Sequence, residues 1–330
     1  MPTKPTLTAP DGRPIYNQSE SQFKTTKFGL YNVGGAQRDV VSLSLSKLFN
    51  DGDSSLTFGY THQNIDMICS MQSSTSHSNY GKCPASDFNN RVPSRSIYET
   101  EHRFFATLSS THYFFGADKP TTFNLFLERK SGLPGTLTFD TYSSPGRYKT
   151  QAFGYERRVN DDSAHLLYIP DGLDDPLVCW VSCSNPNNAV GSEILNLLYN
   201  TYGLERFKGR ILPPGVFEFP WQTSLDLKIT QILPGFRDDD GFVVTLGIEN
   251  LLNLIDDEEG VIRYGAFDGK IDVFDFQLTS DYSKYIFGNS RGADYAFRYN
   301  PSNPYELRKS AVNSIWRAQL GVTYKFSLSF

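Results

Sequence analysis

Residues Ser314–Phe330 read SIWRAQLGVTYKFSLSF, and this stretch decides the fold. Its even positions are Trp316, Ala318, Leu320, Val322, Tyr324, Phe326, Leu328 and Phe330; its odd positions from Arg317 are Arg317, Gln319, Gly321, Thr323, Lys325, Ser327 and Ser329. Strict alternation places one face of a strand in an apolar medium and the other in water, which no helix can do with this spacing. Strands of soluble sheets usually run about five or six residues. A membrane strand takes about nine to eleven tilted residues and carries aromatic side chains where the bilayer meets water. The expectation is an all-β, antiparallel transmembrane β-barrel.

Composition agrees with that expectation. The chain has 330 residues, 14% of them aromatic, with 25 Phe and 19 Tyr, yet its mean hydropathy is only -0.39. A barrel produces this mixture because alternate residues face water and the girdles are aromatic. A secreted, carbohydrate-binding sandwich would have a similar composition, but with shorter strands. No apolar run approaches the roughly 20 residues of a spanning helix. A net charge of -5 and a pI near 5.6 give no reason to expect a nucleic-acid partner. Met1–Pro10 lacks the basic and apolar regions of a secretory leader, so the start of a parent protein is expected to be missing.

Three further hairpins extend the pattern. Asp39–Phe49 and Ser54–Asn64 flank Asn50-Asp51-Gly52-Asp53, a strong hairpin turn. Tyr98–Phe115 and Thr121–Lys130 flank a short turn at Gly116–Pro120, and Trp221–Leu233 and Phe242–Asn253 flank Pro234–Gly241. Long polar segments near 65–97, 131–220 and 254–313 separate them. Within these, Thr136–Tyr142 and Gln151–Val159 read as strand extensions, Ile271–Leu278 as part of an exterior hairpin, and Ser192–Tyr202 as a helix. Ser192 is its expected cap, Ile194, Leu195 and Leu198 share a face, and Gly203 ends it. Short turns at one end and long loops at the other are the asymmetry of outer-membrane barrels. Seven spans, however, cannot close a barrel with both ends on one side, so the chain reads as part of something larger. A hidden eighth strand would instead permit a complete small barrel with an adhesion or structural role.

Four cysteines form two local pairs, Cys69 with Cys83 and Cys179 with Cys183. In an oxidising compartment each pair can close a loop as a disulfide; free thiols or a four-thiolate zinc site are the alternatives, and no C-x-x-C supports zinc. Gly288-Asn289-Ser290-Arg291-Gly292 matches a nucleophile-elbow spacing but lacks the flanking strand and helix, so no enzyme is expected. Five histidines, His62, His77, His102, His112 and His165, are scattered without H-E-x-x-H and are expected in solvent or the lumen. Asp238-Asp239-Asp240 and Asp256-Asp257-Glu258-Glu259 lack calcium-loop spacing and read as solvated turns. The expectation is therefore no metal and no cofactor. Tyr285, Phe287, Tyr295, Phe297 and Tyr299 could stack on a ligand or order an exterior loop.

Several segments resemble one family, the Oar-like (OmpA-related) branch of TonB-dependent outer-membrane receptors. They are Pro10-Asp11-Gly12-Arg13-Pro14-Ile15-Tyr16, Glu101-His102-Arg103-Phe104, Ser131-Gly132-Leu133-Pro134 and Leu166-Leu167-Tyr168-Ile169-Pro170. Leu225–Gln231 followed by Pro234 is similar to a strand-and-turn pattern of these receptors, with Asp226, Gln231 and Pro234 as its marked positions. Glu249-Asn250-Leu251-Leu252-Asn253 resembles their penultimate-strand motif, with Asn250 and Asn253. Leu320–Phe330 resembles their closing strand, whose terminal Phe is a signal for the barrel-assembly machinery. The resemblance implies the C-terminal portion of a 22-stranded barrel, in the outer membrane of a Gram-negative cell. It implies energy-coupled uptake of a large solute, an extracellular ligand, and coupling to the TonB complex through a plug domain. This chain carries neither plug, TonB box nor signal peptide, so residues 1–330 read as one partial barrel domain.

Overall fold

The computed structural model describes residues 7–8, 11–15, 32–68, 74, 79, 83–87, 89–140, 165–181, 185–237, 239–265, 269–275, 297–299 and 307–326. Alternation of side chains dictates a two-faced ladder, and seven long strands supply one. They are β1 (Gln37–Phe49), β2 (Ser54–Met67), β3 (His102–His112), β4 (Thr121–Lys130), β5 (Gln222–Pro234), β6 (Gly241–Glu249) and β7 (Arg317–Lys325). They pair antiparallel as a simple meander in the order β7-β6-β5-β4-β3-β2-β1, and the two-residue piece Ser94–Arg95 pairs with the end of β2. Among the described residues the sheet does not close: β1 and β7 are its edges. Because neighbours alternate in direction, these two edges run parallel and could not complete an antiparallel ring with each other.

Register keeps like with like. Leu45, Phe58, Ala106, Leu127 and Leu225 form one row across five strands. Leu56, Leu108, Leu125, Leu227, Ile248 and Ala318 form the next, and Phe123, Ile229, Leu246 and Leu320 follow. A slip of one residue anywhere would exchange the two faces, and none of these ladders contains one. The turn between β1 and β2 runs through Asn50, Asp51 and Gly52 at φ of 52°, 54° and 102°, a left-handed path that Asn, Asp and Gly tolerate.

The C-terminal ends of β2, β4 and β6 lie at one end of the sheet, where the long segments gather into a folded lobe. Its centre is Pro134–Asp140, antiparallel to Phe217–Glu218 and parallel to Lys270–Asp275. Tyr168–Ile169 pairs with Arg210–Ile211, and Val178–Trp180 pairs in parallel with Phe297–Tyr299. Leu137, Phe139, Leu167, Ile169, Trp180, Leu198, Leu212 and Ile271 fill the core. The expected exterior hairpin at Ile271–Leu278 is therefore corrected, since its described part is a parallel partner of Pro134–Asp140. The expected strand extension at Thr136–Tyr142 is corrected in its described part: only Pro134–Gly135 follows the β4–β5 course, opposite Phe217–Glu218 and past a break at Gly132, where a Cβ would meet the Phe219 carbonyl oxygen at 1.9 Å, whereas Thr136–Asp140 pairs in parallel with Lys270–Asp275; residues 141–142 lie outside the described residues. Gln151–Val159 lies outside the described residues.

The lobe helix, α1 (Asn188–Asn196), starts earlier than Ser192. The Asn187 side chain accepts a hydrogen bond from Val190 N, and that cap sets the start. A π turn over Leu197–Thr201 prolongs it, and Gly203 at φ 66° ends it. Ile194, Leu195 and Leu198 do face the core. Gly191 lets the Trp180 ring lie against the helix, where a Cβ would come within 2.7 Å, and Trp180 Nε1 donates to Leu173 O at 2.8 Å.

Candidate functional site

The odd-numbered face of β7 and its register partners make a polar surface. Across β3 to β7 it forms an open pocket of about 540 Å³, lined among others by Asn124, Asp226, Lys228, Thr245, Gln319 and Thr323. Two glycines keep it open. An added Cβ at Gly247 would meet nothing within 4 Å, and one at Gly321 would only touch Thr245 O at 3.9 Å. Charges of both signs line the surface in pairs. Arg103 reaches Glu128 at 2.6 Å, Lys130 reaches it at 3.1 Å, and Arg317 meets Glu249 at 2.7 Å. Phe105 covers Gly59, where a Cβ would stand 2.1 Å from the ring. This surface can hold a polar or zwitterionic solute; it shows no nucleophile and base in hydrogen-bond reach among the described residues.

The sequence motifs turn out to meet in pairs, which the linear reading did not show. Asp226 Oδ1 accepts from Asn250 N at 2.8 Å. Asn250, at φ 54°, then donates through Nδ2 to Gly260 O at 3.1 Å and Ser314 O at 3.0 Å. A single side chain thus ties β5 to the turn after β6 and to the residues that lead into β7. Gly260 must be glycine here, because its Cβ would lie 2.1 Å from Asn250 Oδ1. Asn253 Nδ2 donates to Asp257 O at 3.0 Å and Glu259 O at 3.1 Å, so the second acidic run is a closed turn. At the opposite end, Gln231 accepts from Thr121 Oγ1 and donates to Lys119 O at 3.3 Å, beside Pro234 at the end of β5.

The other motif pairs seat the lobe. His102 N donates to Ser131 Oγ at 3.1 Å while Ser131 N donates back to His102 O at 2.9 Å. Arg13, 1% exposed, follows the Asp11–Gly12 turn of a small hairpin and donates to Leu166 O at 2.5 Å and, through Nε, to Asp11 Oδ2 at 2.7 Å. Arg95 clamps the lobe to the sheet through Glu99 at 2.5 Å, Glu101 at 2.7 Å and Glu218 at 2.7 Å. Partial burial opposes its charge, but its hydrogen bonds to Glu99 and Glu218 raise its pKa further. Burial raises the Tyr168 phenol, whose hydroxyl donates to Asp175 at 3.0 Å. Burial, aided by the charges of Asp171 and Asp175, pushes Tyr199 up to about 12.

Of the closing-strand residues, Trp316, Leu320, Val322 and Phe326 are exposed. Tyr324 lies 4.6 Å from the Phe242 ring and donates to Asp240. Leu328 and Phe330 lie outside the described residues. Cys83 and Cys179 are disulfide-bonded; Cys69 and Cys183 lie outside the described residues, as do Asp238, His77, Gly288–Gly292, Tyr285, Phe287 and Tyr295. Of the histidines expected in solvent or the lumen, His165 is corrected because it is buried, while His112 is exposed and His62 and His102 are half-buried. His62 and His102 face each other on adjacent strands, on the side of the sheet that carries the aliphatic rows, with ring centroids 5.1 Å apart. His112 shares that side, and His165 is buried in the lobe. Antiparallel register joins residues 40 positions apart, and no linear spacing records it. No protein-family model matches the chain, and no curated protein or solved structure is similar to it.

Proposed function

We propose that the chain forms part of the wall of an outer-membrane β-barrel of the TonB-dependent receptor class, taking up a large solute in a Gram-negative cell. One observation carries the reading: aliphatic rows four to six strands wide overlap to span the sheet, and among the described residues no layer of protein covers them. Leu43, Leu45, Leu320 and Val322 are 58%, 63%, 69% and 63% exposed. Leaving such a side chain in water forgoes about 1.5–3 kcal/mol, and rows of this size in water would work strongly against the fold. Lipid removes that cost.

The rows are bounded by aromatic rings at both ends. At the lobe end Tyr60 lies 4.8 Å from Phe104, Phe104 lies 6.3 Å from Trp221, and Arg129 sits 5.5 Å over Trp221. At the short-turn end Phe236, Phe242 and Tyr324 cluster within 5.6 Å of one another. Trp221 to Leu233 rises about 28 Å at about 3.3 Å per residue and a tilt of about 45°, close to the ~30 Å hydrocarbon core. Belts of this kind belong at the two bilayer interfaces.

The open edges support a larger assembly. A backbone group left unpaired in hydrocarbon costs several kcal/mol, so β1 and β7 need further staves in lipid. Seven strands with parallel edges supply about a third of a 22-stranded wall. The polar pocket then faces the lumen, the lobe covers the outer mouth, and coupling to the TonB complex passes through a plug domain. Insertion relies on the barrel-assembly machinery. Fractionation of native cells tests the reading: the chain is expected in the outer membrane, extracted only by detergent. A soluble, monodisperse monomer obtained without detergent overturns it.

A further inference from the structure

We propose that His62, Glu101 and His102 form a binding site for a divalent metal ion of the zinc class, on the lobe-end rim of the sheet. Their ligand atoms lie within 4.8 Å of one another. Each residue is already oriented by a second contact that leaves one ligand atom over. His62 Nδ1 is 3.1 Å from Glu101 O. A carbonyl only accepts, so Nδ1 carries the proton and His62 Nε2 presents its lone pair. His102 Nδ1 is 2.9 Å from the Tyr60 hydroxyl, which can accept its proton and free His102 Nε2 in the same way. Glu101 Oε2 takes Arg95 at 2.7 Å, leaving Oε1.

The spacing suits a tetrahedral ion. Two ligands about 2.05 Å from zinc at a tetrahedral angle are about 3.3 Å apart, and His102 Nε2 and Glu101 Oε1 are 3.4 Å apart. His62 faces His102 in register, and the three ligand atoms lie within 4.8 Å of one another, so closing on an ion asks for side-chain adjustment alone. Orienting contacts from a carbonyl, a phenol and an arginine are the outer shell that metal-binding imidazoles and carboxylates ordinarily have. Two imidazoles and one carboxylate select zinc, cobalt, nickel or copper over calcium or magnesium, which take oxygen ligands. The three residues are half-buried, which leaves a fourth position for water and a route in. Arg95 does not repel the ion, because Glu99 and Glu218 also neutralise it.

The site would join β2, β3 and the segment before β3, whatever medium surrounds the sheet. The test titrates the full chain, folded in detergent micelles, with Zn²⁺ against a chelating dye, and with Co²⁺ followed by visible absorption. One tetrahedral ion per chain is expected, with calcium failing to compete. His62→Gln and His102→Gln abolish binding, Tyr60→Phe weakens it about 10- to 100-fold, and His112→Ala leaves it unchanged. Wild-type protein gives a readout free of folding defects. The Trp221 ring stacks 6.1 Å from His102, so Cu²⁺ quenches its fluorescence, and Trp221→Phe removes the quench without altering zinc affinity. Absence of saturable zinc binding by the folded wild-type chain, or binding that survives both glutamine variants, overturns the proposal.

Discussion

The lobe and the sheet spend the same apolar residues in opposite ways. In the lobe, Trp180, Phe139, Leu198 and Ile169 are essentially sealed from the surroundings. In the seven long strands no apolar side chain larger than alanine is buried among the described residues, and the edge rows of β1 and β7 are mostly exposed. A lobe of this kind is held by removing side chains from water. The sheet is held by its backbone ladder, by cross-strand pairs and by whatever medium receives its outer rows. One chain therefore carries two stabilising rules, divided near Gly132 and Phe219.

That division predicts where each kind of substitution hurts. Trp180→Ala empties the lobe core and costs about 3–5 kcal/mol. It is expected to abolish the near-ultraviolet circular dichroism of the lobe while the far-ultraviolet signal of the strands persists; simultaneous loss of both would erase the division. Leu246→Arg, in the middle of the outer rows, costs about 2–4 kcal/mol in lipid, read by urea unfolding in vesicles. Thr245→Arg, one residue away on the polar side, changes stability by less than about 0.5 kcal/mol. Equal effects at the two positions would mean the faces are not distinct.

Smaller effects sharpen the same contrast inside the lobe. Asn187→Ala removes the cap of α1 and costs about 1 kcal/mol, visible as a lower melting temperature for the lobe alone. Alkaline pH acts on the lobe through its buried and half-buried phenols. Tyr199 titrates at about 12 in the fold, whereas an unfolded tyrosine titrates near 10. A raised folded pKa contributes stability that is complete below pH ~10 and is lost as pH rises towards ~12. Tyrosinate absorbance at 295 nm should therefore rise together with lobe unfolding in that window, and early titration of these phenols in an intact lobe would contradict their burial.

Legibility in the sequence follows the same boundary. The strands announce themselves because a period of two, repeated over nine to fourteen residues, survives in the linear text. The bounds of β4 are those the pattern predicts, and the other strands shift by a few residues. The lobe is nearly silent because its strands run from two to seven residues and find their partners far away: Arg13 bonds Leu166 across 153 positions. The parallel pairing of Lys270–Asp275 with Pro134–Asp140 has no local signal at all. Ser192 looked like a cap because hydroxyls often are, yet the preceding Asn187 was the residue with non-helical backbone and a free side-chain oxygen. Of the polar residues marked by motif, Asp226 and Asn250 prove to be joined to each other. The rim cluster of His62, Glu101 and His102 is visible only in register.

Spin labels introduced one at a time at Leu43, Ser44, Leu320 and Gln319, in the full chain reconstituted into vesicles, test the central claim most directly. The account predicts that labels at Leu43 and Leu320 collide with oxygen dissolved in the bilayer, while those at Ser44 and Gln319 collide with a water-soluble nickel chelate. Labels at Leu43 and Leu320 that meet the chelate as readily as their neighbours, or that are shielded from both reagents, would contradict it.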